Sequence, residues 1–483
     1  MSHAIEGLKP ALVWKYFAEI SLIPRGSKNE AAIGKYLVDA GKKLGLWATQ
    51  DGVGNVLVRK PASAGRELVP SVCLQGHMDM VCEKNKDTVH DFLEDPIELV
   101  RKDNMIMANG TTLGADNGIA VATCLAIMED RSLEHGPLEF LFTVDEETGL
   151  TGANALQPGF LESKILINLD SEDEGELYVG CSGGRDNAGT WELQCDDAPA
   201  GGKAVLVKVA GLRGGHSGLE IHQGRGNALK IINRVLTAMV EAGGRLAKVE
   251  GGNKRNAIPR EAEALVWFPK AKAAAASSIV DAFNLTIKAE FASVEPGLAI
   301  TCQAAKGVRK VLKKALQKKL LLTLAALPHG VLKMSADIPG LVETSSNLAI
   351  VQWTKKNISV QTSQRSSVAS EIEEASQMVR AAFELGGALA TGSDGYPGWK
   401  PDIASPILKL AQTTYLQLFR KEPAVKAVHA GLECGIIGEK YPGMDMVSFG
   451  PTMREVHSPN EHLYIDTVGK FWQFLLGILK AVK

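Results

Sequence analysis

Apolar residues in the first third of the chain follow two patterns, the spacing of a helix that buries one face and the unbroken run of a buried strand. Helical spacing predicts helices over residues 11–20, 30–44 and 117–128. Apolar runs predict strands over residues 56–58, 71–74, 138–144 and 165–169. We expect Ser27 or Asn29 to cap the second of these helices. This alternation is typical of an α/β fold in which helices flank a mostly parallel sheet.

The pattern changes near Cys181 and returns to its first form after about Gly398. Between these points, strand-like runs alternate with helix-like stretches over 204–209, 227–240, 271–289, 357–362 and 370–385. After them, two helices and an intervening strand are predicted over 405–419, 466–482 and 446–449. The simplest account is a discontinuous outer domain, 1–184 and 399–483, with an α+β domain, 185–398, inserted into it.

The composition is that of an ordinary folded protein, with 45% apolar and 22% charged residues, which excludes wholesale disorder. The 53 basic and 55 acidic side chains leave a net charge of −2, so no overall charge attracts nucleic acid or an anionic membrane. The basic segment 306–319 is predicted to be the solvated face of a helix, because no aromatic residues interrupt it.

The expected compartment is the cytoplasm. No apolar run reaches the ~18 residues that a membrane-spanning helix needs, and segment 1–17 does not resemble a secretory leader. The seven cysteines form no CxxC pair, and we expect them to be reduced. We therefore expect a soluble cytoplasmic protein with no nucleic-acid or membrane partner.

Candidate chemistry collects at the ends of the predicted strands. His77 and Asp79 follow the strand over 71–74, and a carboxylate at that spacing can orient a metal-binding imidazole. Asp116 lies among small residues at the start of a predicted helix, where it could bridge two metals or simply cap the helix. Taken alone, each pattern is also compatible with a purely structural role.

Further acids end the next two apolar strands. Glu146 and Glu147 follow the strand over 138–144, and two neighbouring glutamates can divide metal binding and proton transfer between them. Asp170 follows the strand over 165–169, and His457 lies in a loop before the last helix. A solvated acidic loop and an exposed loop histidine remain the alternatives. In open sheets of this type, sites form outside the carboxyl ends of the strands. Two imidazoles with carboxylates suit zinc, manganese or cobalt.

Nine segments, in this order along the chain, resemble the di-zinc aminoacylase–carnosinase superfamily of metallopeptidases. Within that superfamily the resemblance is greatest to the bacterial aminoacyl-histidine dipeptidases, also called cytosol non-specific dipeptidases, and it covers essentially the whole chain. The segments are QGHMDMV, DTVHDF, GTTLGADNGIA, EETGLTGA, LINLDSEDEGE, GGHSGLEIHQGRGNA, RNAIPREA, HAGLECG and GPTMREVHSPNE.

The resemblance implies two zinc ions, for which Mn²⁺ or Co²⁺ could substitute, and a role for each candidate residue. One zinc would be held by His77, Asp116 and Asp170, and the other by Asp116, Glu147 and His457. Asp79 would orient His77, and Glu146 would be the general base for a hydroxide bound by both metals. The resemblance also implies a non-proline cis bond between Asp116 and Asn117.

The inserted domain is implied to be a lid that completes the substrate site. His216 would reach the oxyanion, Asn256 and Arg365 would bind the carboxylate end of the substrate, and Arg suits a carboxylate because its planar fork pairs with two oxygens. Glu433 would bind the free amine. For His216, Arg365 and Glu433 a structural role is the alternative. The resemblance leaves open whether His216 acts within its chain or across a homodimer.

The expected activity is hydrolysis of unblocked dipeptides, including Xaa-His dipeptides. A related tripeptidase or N-acyl-amino-acid amidohydrolase is the alternative within the same chemistry. A non-catalytic binding protein that keeps the fold is the alternative from another class, and the presence of all five metal ligands and Glu146 argues against it.

Overall fold

The computed structural model describes residues 3–483, and Met1 and Ser2, at the start of the predicted outer domain, lie outside the described residues. The chain divides into two compact units. Unit 1 contains the residues up to Gly180, Trp399–Ala427 and Leu432–Lys483. Unit 2 contains Cys181–Gly398 and Val428–Gly431.

The short segment Val428–Gly431, which the sequence pattern does not separate from its surroundings, belongs to unit 2 through hydrogen bonds. The backbone N–H of Ser182 donates to the carbonyls of Val428 (3.1 Å) and Ala430 (3.0 Å). His429 is buried, and its Nε2 lies 2.7 Å from the Ser345 hydroxyl. At the ends of the long segment, a Cβ atom on Gly183 would lie 2.6 Å from the Gly398 nitrogen, so the two backbones approach closely.

Unit 1 is built on an eight-stranded sheet. Its central strands pair in parallel, and antiparallel pairs lie on both sides of them. In spatial order the strands are Trp47–Gln50, Val56–Lys60, Leu138–Thr143, Val72–His77, Ile165–Asn168, Asp445–Ser448, Glu176–Cys181 and Ala424–Val428. A four-stranded sheet contains Met453–Arg454, His462–Tyr464, Met105–Ala108 and Leu99–Lys102. The predicted α/β class is confirmed, and the parallel part is the buried centre of the sheet, where apolar runs are unbroken.

Helices surround the sheet of unit 1. They are His3–Ile5 (3₁₀), Ala11–Ile20, Ala31–Lys43, Ala115–Glu129, Glu146–Gly149, Thr151–Ala155, Pro406–Phe419, Glu433–Lys440 and Ile465–Ala481. The helix Ala115–Glu129 is buried over almost its whole length, as its small residues predict. The predicted cap of Ala31–Lys43 is wrong: Glu30 is the N-cap residue, the Ser27 hydroxyl donates to Asp79, and the Asn29 N–H donates to Gly26.

Unit 2 is an α+β structure with a nine-stranded antiparallel sheet. Its strands are Ala299–Ala305, Lys203–Ala210, Ala262–Phe268, Arg245–Gly251, Val342–Trp353, Asn357–Ser366, Gly183–Glu192 and Leu389–Gly392, with Gly330–Met334 beside Val342–Trp353. Two small pairs are Cys195–Asp197 with Lys310–Leu312 and Gly215–His216 with Ala257–Ile258. The helices are Ile221–Gln223 and Lys270–Lys272 (both 3₁₀), Ala228–Glu241, Ala275–Glu290, Lys314–Ala326 and Ala369–Leu385.

The basic segment 306–319 is only partly helical. It includes the strand Lys310–Leu312 before the helix Lys314–Ala326 begins. In that helix Leu316, Leu320 and Leu324 are buried while the lysines are exposed, which is the predicted amphipathic arrangement.

Candidate metal centre and active site

His77 ends the buried strand Val72–His77 and is held from behind by Asp79. Its Nδ1 lies 3.2 Å from Asp79 Oδ1, and both side chains are buried. Asp79 also accepts hydrogen bonds from the Ser27 hydroxyl (2.8 Å) and the Glu146 N–H (3.1 Å). A carboxylate on Nδ1 aims Nε2 at a ligand, as is usual for metal-binding histidines.

Asp116 lies between the two histidines that were predicted from opposite ends of the chain. Its Oδ1 is 3.1 Å from His77 Nε2, and its Oδ2 is 3.1 Å from His457 Nε2. The residue follows Gly114, whose φ of 68° is left-handed, and the peptide bond between Asp116 and Asn117 is cis, as the resemblance implies. Each oxygen of one carboxylate therefore faces a different imidazole.

Two further carboxylates complete the pair of clusters. Asp170 Oδ1 lies 3.5 Å from His77 Nε2, and Glu147 Oε2 lies 3.0 Å from His457 Nε2. In each cluster the candidate ligand atoms lie within 4.8 Å of one another, and the clusters share Asp116. The structure therefore brings together the two predicted ligand sets. Glu146 lies beside them, in a third such group with His77 and Glu147.

Both imidazoles are surrounded by negative charge. Burial lowers the pKa of His77, but the charge of Asp170 and hydrogen bonds to Asp116, Asp170 and Asp79 outweigh it and raise that pKa well above its usual value. Hydrogen bonds to Asp116 and Glu147, opposed by burial, raise the pKa of His457 to about 11. Without a metal, protons on these rings compensate the carboxylates, so the site favours cations.

Two of the acids retain protons more strongly than usual. Burial raises the pKa of Glu146 well above its ordinary value. The charge of His77 opposes this shift, and the charges of Asp170, Glu433 and Glu147 add to it. Burial also raises the pKa of Asp170 to about 7, although His77 opposes the shift. A glutamate whose pKa is raised in this way holds a proton more strongly than an ordinary carboxylate, which suits a general base.

The residues present fit a pair of divalent cations. Two imidazole nitrogens and several carboxylate oxygens form the donor set that suits zinc, manganese or cobalt. One oxygen of Glu147, Oε1, is buried and has no hydrogen-bond partner among residues 3–483, so an acceptor in the site is left for a ligand that is not a protein group.

Glu433, also in unit 1, is fully buried at the start of the helix Glu433–Lys440. Its Oε2 accepts hydrogen bonds from Gln75 Nε2 and the Thr143 hydroxyl, both 2.6 Å long. Its Oε1 is buried, and no described residue forms a hydrogen bond with it. Burial, opposed by Thr143 and His77, raises the pKa of Glu433 to about 7.

His216 lies in unit 2, and its neighbours fix the position of its proton. The backbone N–H groups of Gly218 (3.2 Å) and Leu219 (3.0 Å) donate to Nδ1, so the neutral ring carries its proton on Nε2. Burial and the charge of Arg365 lower the pKa of His216 to about 4, with Glu220 opposing them. The ring is therefore neutral at pH 7 and offers an N–H donor.

Asn256 and Arg365 lie close to His216 within unit 2. The carbonyl of Asn256 accepts the N–H of Ser217 at 2.8 Å, and the next residue, Ala257, pairs with His216. Arg365 is 7% exposed and donates from Nη1 to the Tyr396 hydroxyl at 2.8 Å. Their predicted contacts with a substrate stay predictions.

Two buried charged residues near the site were not predicted as site residues. Glu461 accepts N–H groups of the segment Leu113–Asp116, and Arg25 donates to the Gly114 carbonyl of that segment and to the carbonyl of Asp79. Glu461 lies in the HSPNE segment, four residues after His457, which is a signal that the sequence contains. Arg25 lies in no segment that we singled out, because its partners are backbone carbonyls that leave no sequence pattern.

The chain matches the model of peptidase family M20/M25/M40 over residues 73–481. It is 42% identical to the cytosol non-specific dipeptidase of Escherichia coli (strain K12) over 476 residues, which are 98% of each chain. Among solved structures it is similar to the aminoacylhistidine dipeptidase from Vibrio alginolyticus, with 41% identity, a TM-score of 0.93, and coverage of 99% of this chain and 98% of that one.

A more distant solved structure is the aminopeptidase PepT from Bacillus cereus ATCC 10987. It is 16% identical with a TM-score of 0.58, and the alignment covers 98% of this chain and 99% of that one. That likeness shows the fold alone. No helix among residues 3–483 is long and apolar enough to cross a membrane.

Proposed function

The chain belongs to peptidase family M20/M25/M40, a family of metallopeptidases, and from that premise we propose that it hydrolyses unblocked dipeptides, including Xaa-His dipeptides. The proposed cofactor is a pair of divalent cations, with zinc as the native metal. The names of the relatives from Escherichia coli and Vibrio alginolyticus support the dipeptidase activity, and the first of them supports a cytosolic location.

One observation in this structure carries the proposal. The two oxygens of Asp116 each lie 3.1 Å from the Nε2 of a different histidine, while Glu146 lies in the same group of side chains. A carboxylate between two imidazoles is the arrangement that a shared ligand of two cations needs. A binding protein without activity would not need Glu146 beside that pair.

His77, Asp116 and Asp170 would hold one cation, and Asp116, Glu147 and His457 would hold the other. When bound, the cations supply Lewis acidity, which lowers the pKa of water and polarises the scissile carbonyl. Asp79 keeps His77 oriented and also accepts the N–H of Glu146, so one carboxylate fixes both a ligand and the proposed base.

Glu146 is the proposed general base. Its carboxylate takes a proton from the attacking water and then gives it to the leaving amine, which restores the starting charge. The raised pKa of Glu146 supports this role, because a carboxylate with an ordinary pKa would be a weaker base. No serine or cysteine nucleophile is needed for the reaction.

Substrate recognition is assigned by the same proposal. Glu433 Oε1, a buried acceptor without a partner in the described part of the chain, suits the substrate's ammonium group. His216 offers its Nε2–H to the oxyanion, and its Nδ1 is already occupied by two backbone donors, which supports that role. Arg365 and Asn256 are proposed to bind the carboxylate end of the substrate.

A substrate panel with and without a chelator tests the function. Purified protein is incubated with Ala-His, other dipeptides, tripeptides and N-acetylated amino acids, before and after metal removal and zinc return. We expect cleavage of free dipeptides that a chelator abolishes and zinc restores. Preference for tripeptides or N-acyl amino acids would replace the substrate assignment, and chelator-insensitive cleavage or no cleavage would overturn the proposal.

A further inference from the structure

Glu461 is a buried carboxylate that four consecutive backbone N–H groups surround. Its Oε2 accepts from Leu113 (2.7 Å) and Gly114 (2.9 Å), and its Oε1 accepts from Ala115 (2.8 Å) and Asp116 (3.3 Å). The side chain is 2% exposed, so water does not compete for these bonds. Every N–H of the segment that ends at Asp116 is therefore bound to one side chain.

Arg25 holds the same segment from its carbonyl side. Its Nη2 donates to the Gly114 carbonyl, and its Nη1 donates to the carbonyls of Asp79 (3.0 Å) and Met78 (3.2 Å). The guanidinium is 3% exposed. Arg25 thus connects the backbone that carries Asp79 to the backbone that leads into Asp116.

The local sequence leaves room for this contact. A Cβ atom on Gly114 would lie 2.6 Å from Arg25 Nη2, and one on Gly118 would lie 2.5 Å from it. Gly114 also has a left-handed backbone, with φ 68°, a conformation that residues other than glycine rarely adopt. The backbone N–H of Gly114 is therefore bound by Glu461, and the backbone carbonyl of the same residue is bound by Arg25.

We propose that Glu461 and Arg25 are positioning residues that fix the segment Leu113–Asp116 from both sides, so that the two oxygens of Asp116 face His77 and His457 before any metal binds. This inference rests on the proposed function, because it assumes that Asp116 is the shared metal ligand. It assigns neither residue to the chemical step. The pair is called the Glu461–Arg25 clamp below.

A simpler role for Glu461 would be to stabilise the start of the helix Ala115–Glu129, where an acidic side chain is favourable. That role predicts a loss of stability in a variant and no specific loss of metal affinity. The clamp predicts a loss of metal affinity beyond what general destabilisation gives, because the oxygens of Asp116 would no longer be held toward His77 and His457.

Glu461→Gln is the sharpest variant. A glutamine keeps the shape but can face only one of the two N–H pairs with its oxygen, so the other pair meets an NH₂ group. Arg25 also loses one of the negative charges that act on it. Glu139→Gln is the matched control, since Glu139 is a buried carboxylate of the same unit that accepts the N–H groups of Glu162 and Ser163.

Zinc affinity of the metal-free full chain is measured by competition with a chromogenic chelator. We expect Glu461→Gln to bind zinc about 10–100-fold more weakly than the wild type, the usual cost of losing support behind a ligand, and Glu139→Gln to stay within about twofold. Wild-type affinity in Glu461→Gln, or an equal loss in Glu139→Gln, would overturn the clamp.

Hydrogen exchange of the wild type decides the matter if Glu461→Gln does not fold. In the metal-free protein the amides of residues 113–116 should exchange slowly although they lie just before and within the first turn of a helix, where N–H groups have no partner in the helix, and zinc should change them little. Fast exchange that zinc alone suppresses would mean that the metal, not the clamp, orders the segment. Neither measurement uses peptide hydrolysis, so a wild type that binds zinc but cleaves no dipeptide would refute the proposed function and leave the clamp to these results.

Discussion

Glu146 and Glu147 are neighbours in sequence with different partners in the structure. Glu147 has Oε2 3.0 Å from the imidazole of His457. Glu146 has burial and the charges of Asp170, Glu433 and Glu147 acting against its ionisation, with His77 opposing them. The first environment suits a metal ligand and the second suits a group that exchanges a proton. Two adjacent acids are therefore given different chemistry by what surrounds them.

Glu146→Gln tests that division. The amide keeps the size of the side chain but cannot take a proton from water, so kcat for dipeptide cleavage should fall by about 10²–10⁴-fold. Zinc content should stay as in the wild type, because the predicted ligands are untouched. Steady-state kinetics and metal analysis measure the two effects. The exposed variant Glu94→Gln is the control, and an unchanged kcat in Glu146→Gln would remove this residue from the mechanism.

Asp79→Asn tests the support behind His77. Asparagine can orient the ring less firmly, and it replaces one of the acceptors for Ser27 and for the Glu146 N–H by a donor. We expect zinc affinity to fall by about 10–100-fold. Ser27→Ala, which removes one partner of Asp79 only, should have a smaller effect. Equal zinc affinity in Asp79→Asn and the wild type would contradict the assignment.

At single positions, the sequence was most informative where chemistry and chain order coincide. His77, Asp116, Glu147, Asp170 and His457 all lie in recognisable segments at strand ends or turns, and the structure brings them together. Arg25 has no such segment, because it acts through backbone carbonyls. The direction in which each pKa is shifted depends on neighbours in three dimensions, so no sequence pattern could predict it.

Helices and strands were predicted well where burial sets their period and less well where a distant side chain decides. The helix Ala11–Ile20 has the predicted bounds. The predicted cap of Ala31–Lys43 was wrong because the helix begins only after Glu30, and the Ser27 hydroxyl is bound instead to Asp79, a residue that the local sequence does not include. The basic segment 306–319 contains a strand before its helix because Lys310–Leu312 pairs with Cys195–Asp197.

The helix Lys314–Ala326 ends on a side chain rather than on a glycine. Its C-cap, Leu327, is extended and precedes Pro328, so no left-handed residue caps the last carbonyls. Lys230 takes that place, with Nζ donating to the carbonyls of Leu324 (3.0 Å), Ala325 (2.8 Å) and Leu327 (2.8 Å). A cation at a helix C-terminus also interacts favourably with the helix dipole.

Lys230→Met should therefore destabilise unit 2 by about 1–2 kcal/mol, because three carbonyls lose a charged donor. Urea denaturation at pH 7 gives the change in unfolding free energy, and hydrogen exchange should place the loss at the end of Lys314–Ala326. Lys318→Met makes the same change of charge at an exposed position of that helix and should cost much less. Equal costs for the two variants would show that net charge, not the cap, is responsible.

The division of the chain could be read in part from composition, but the details depend on contacts. The change of pattern near Cys181 and Gly398 lies close to the limits of the long segment of unit 2. The return of Val428–Gly431 to unit 2 has no signal, because it rests on backbone hydrogen bonds to Ser182 and on the buried ring of His429. The antiparallel edges of the unit 1 sheet likewise follow from pairing partners, which periodicity does not reveal.

Metal should stabilise unit 1 selectively, because all five predicted ligands belong to it. A ligand that binds the folded form alone adds stability with concentration, about 2.7 kcal/mol at 100 times its Kd. Hydrogen exchange with and without a chelator should show zinc-dependent protection of the strands Val72–His77 and Ile165–Asn168, with Asn357–Ser366 of unit 2 as the reference. Asp116→Asn should lose most of the effect. Protection confined to unit 2 would contradict the ligand assignment.

Acid should destabilise unit 2 through its buried histidines. Burial, then the charge of Arg365 and the nearby rings of His216 and His222, lower the pKa of His429 to about 3, and burial with the charge of Lys230 lowers that of His329 to about 4. An unfolded histidine titrates near 6.5. Below that pH the histidines of the unfolded chain bind protons, whereas those of the folded unit stay neutral. Their contribution to the free energy of unfolding is therefore complete above pH 6.5 and is lost as the pH falls toward 3 to 4.

The loss should amount to roughly 1.4 kcal/mol per pH unit for each of these histidines. His216 of the same unit, whose pKa is also lowered to about 4, adds a third share. Hydrogen exchange of the strand Asn357–Ser366 at pH 7, 6 and 5, corrected for the intrinsic exchange rate, follows unit 2 without interference from the metal site. His429→Gln should remove about one proton's share of the slope, whatever it costs in stability, because a glutamine does not titrate. His3→Gln, at a fully exposed position of unit 1, should leave the slope unchanged. A wild-type slope in His429→Gln would mean that another group governs the acid sensitivity of unit 2.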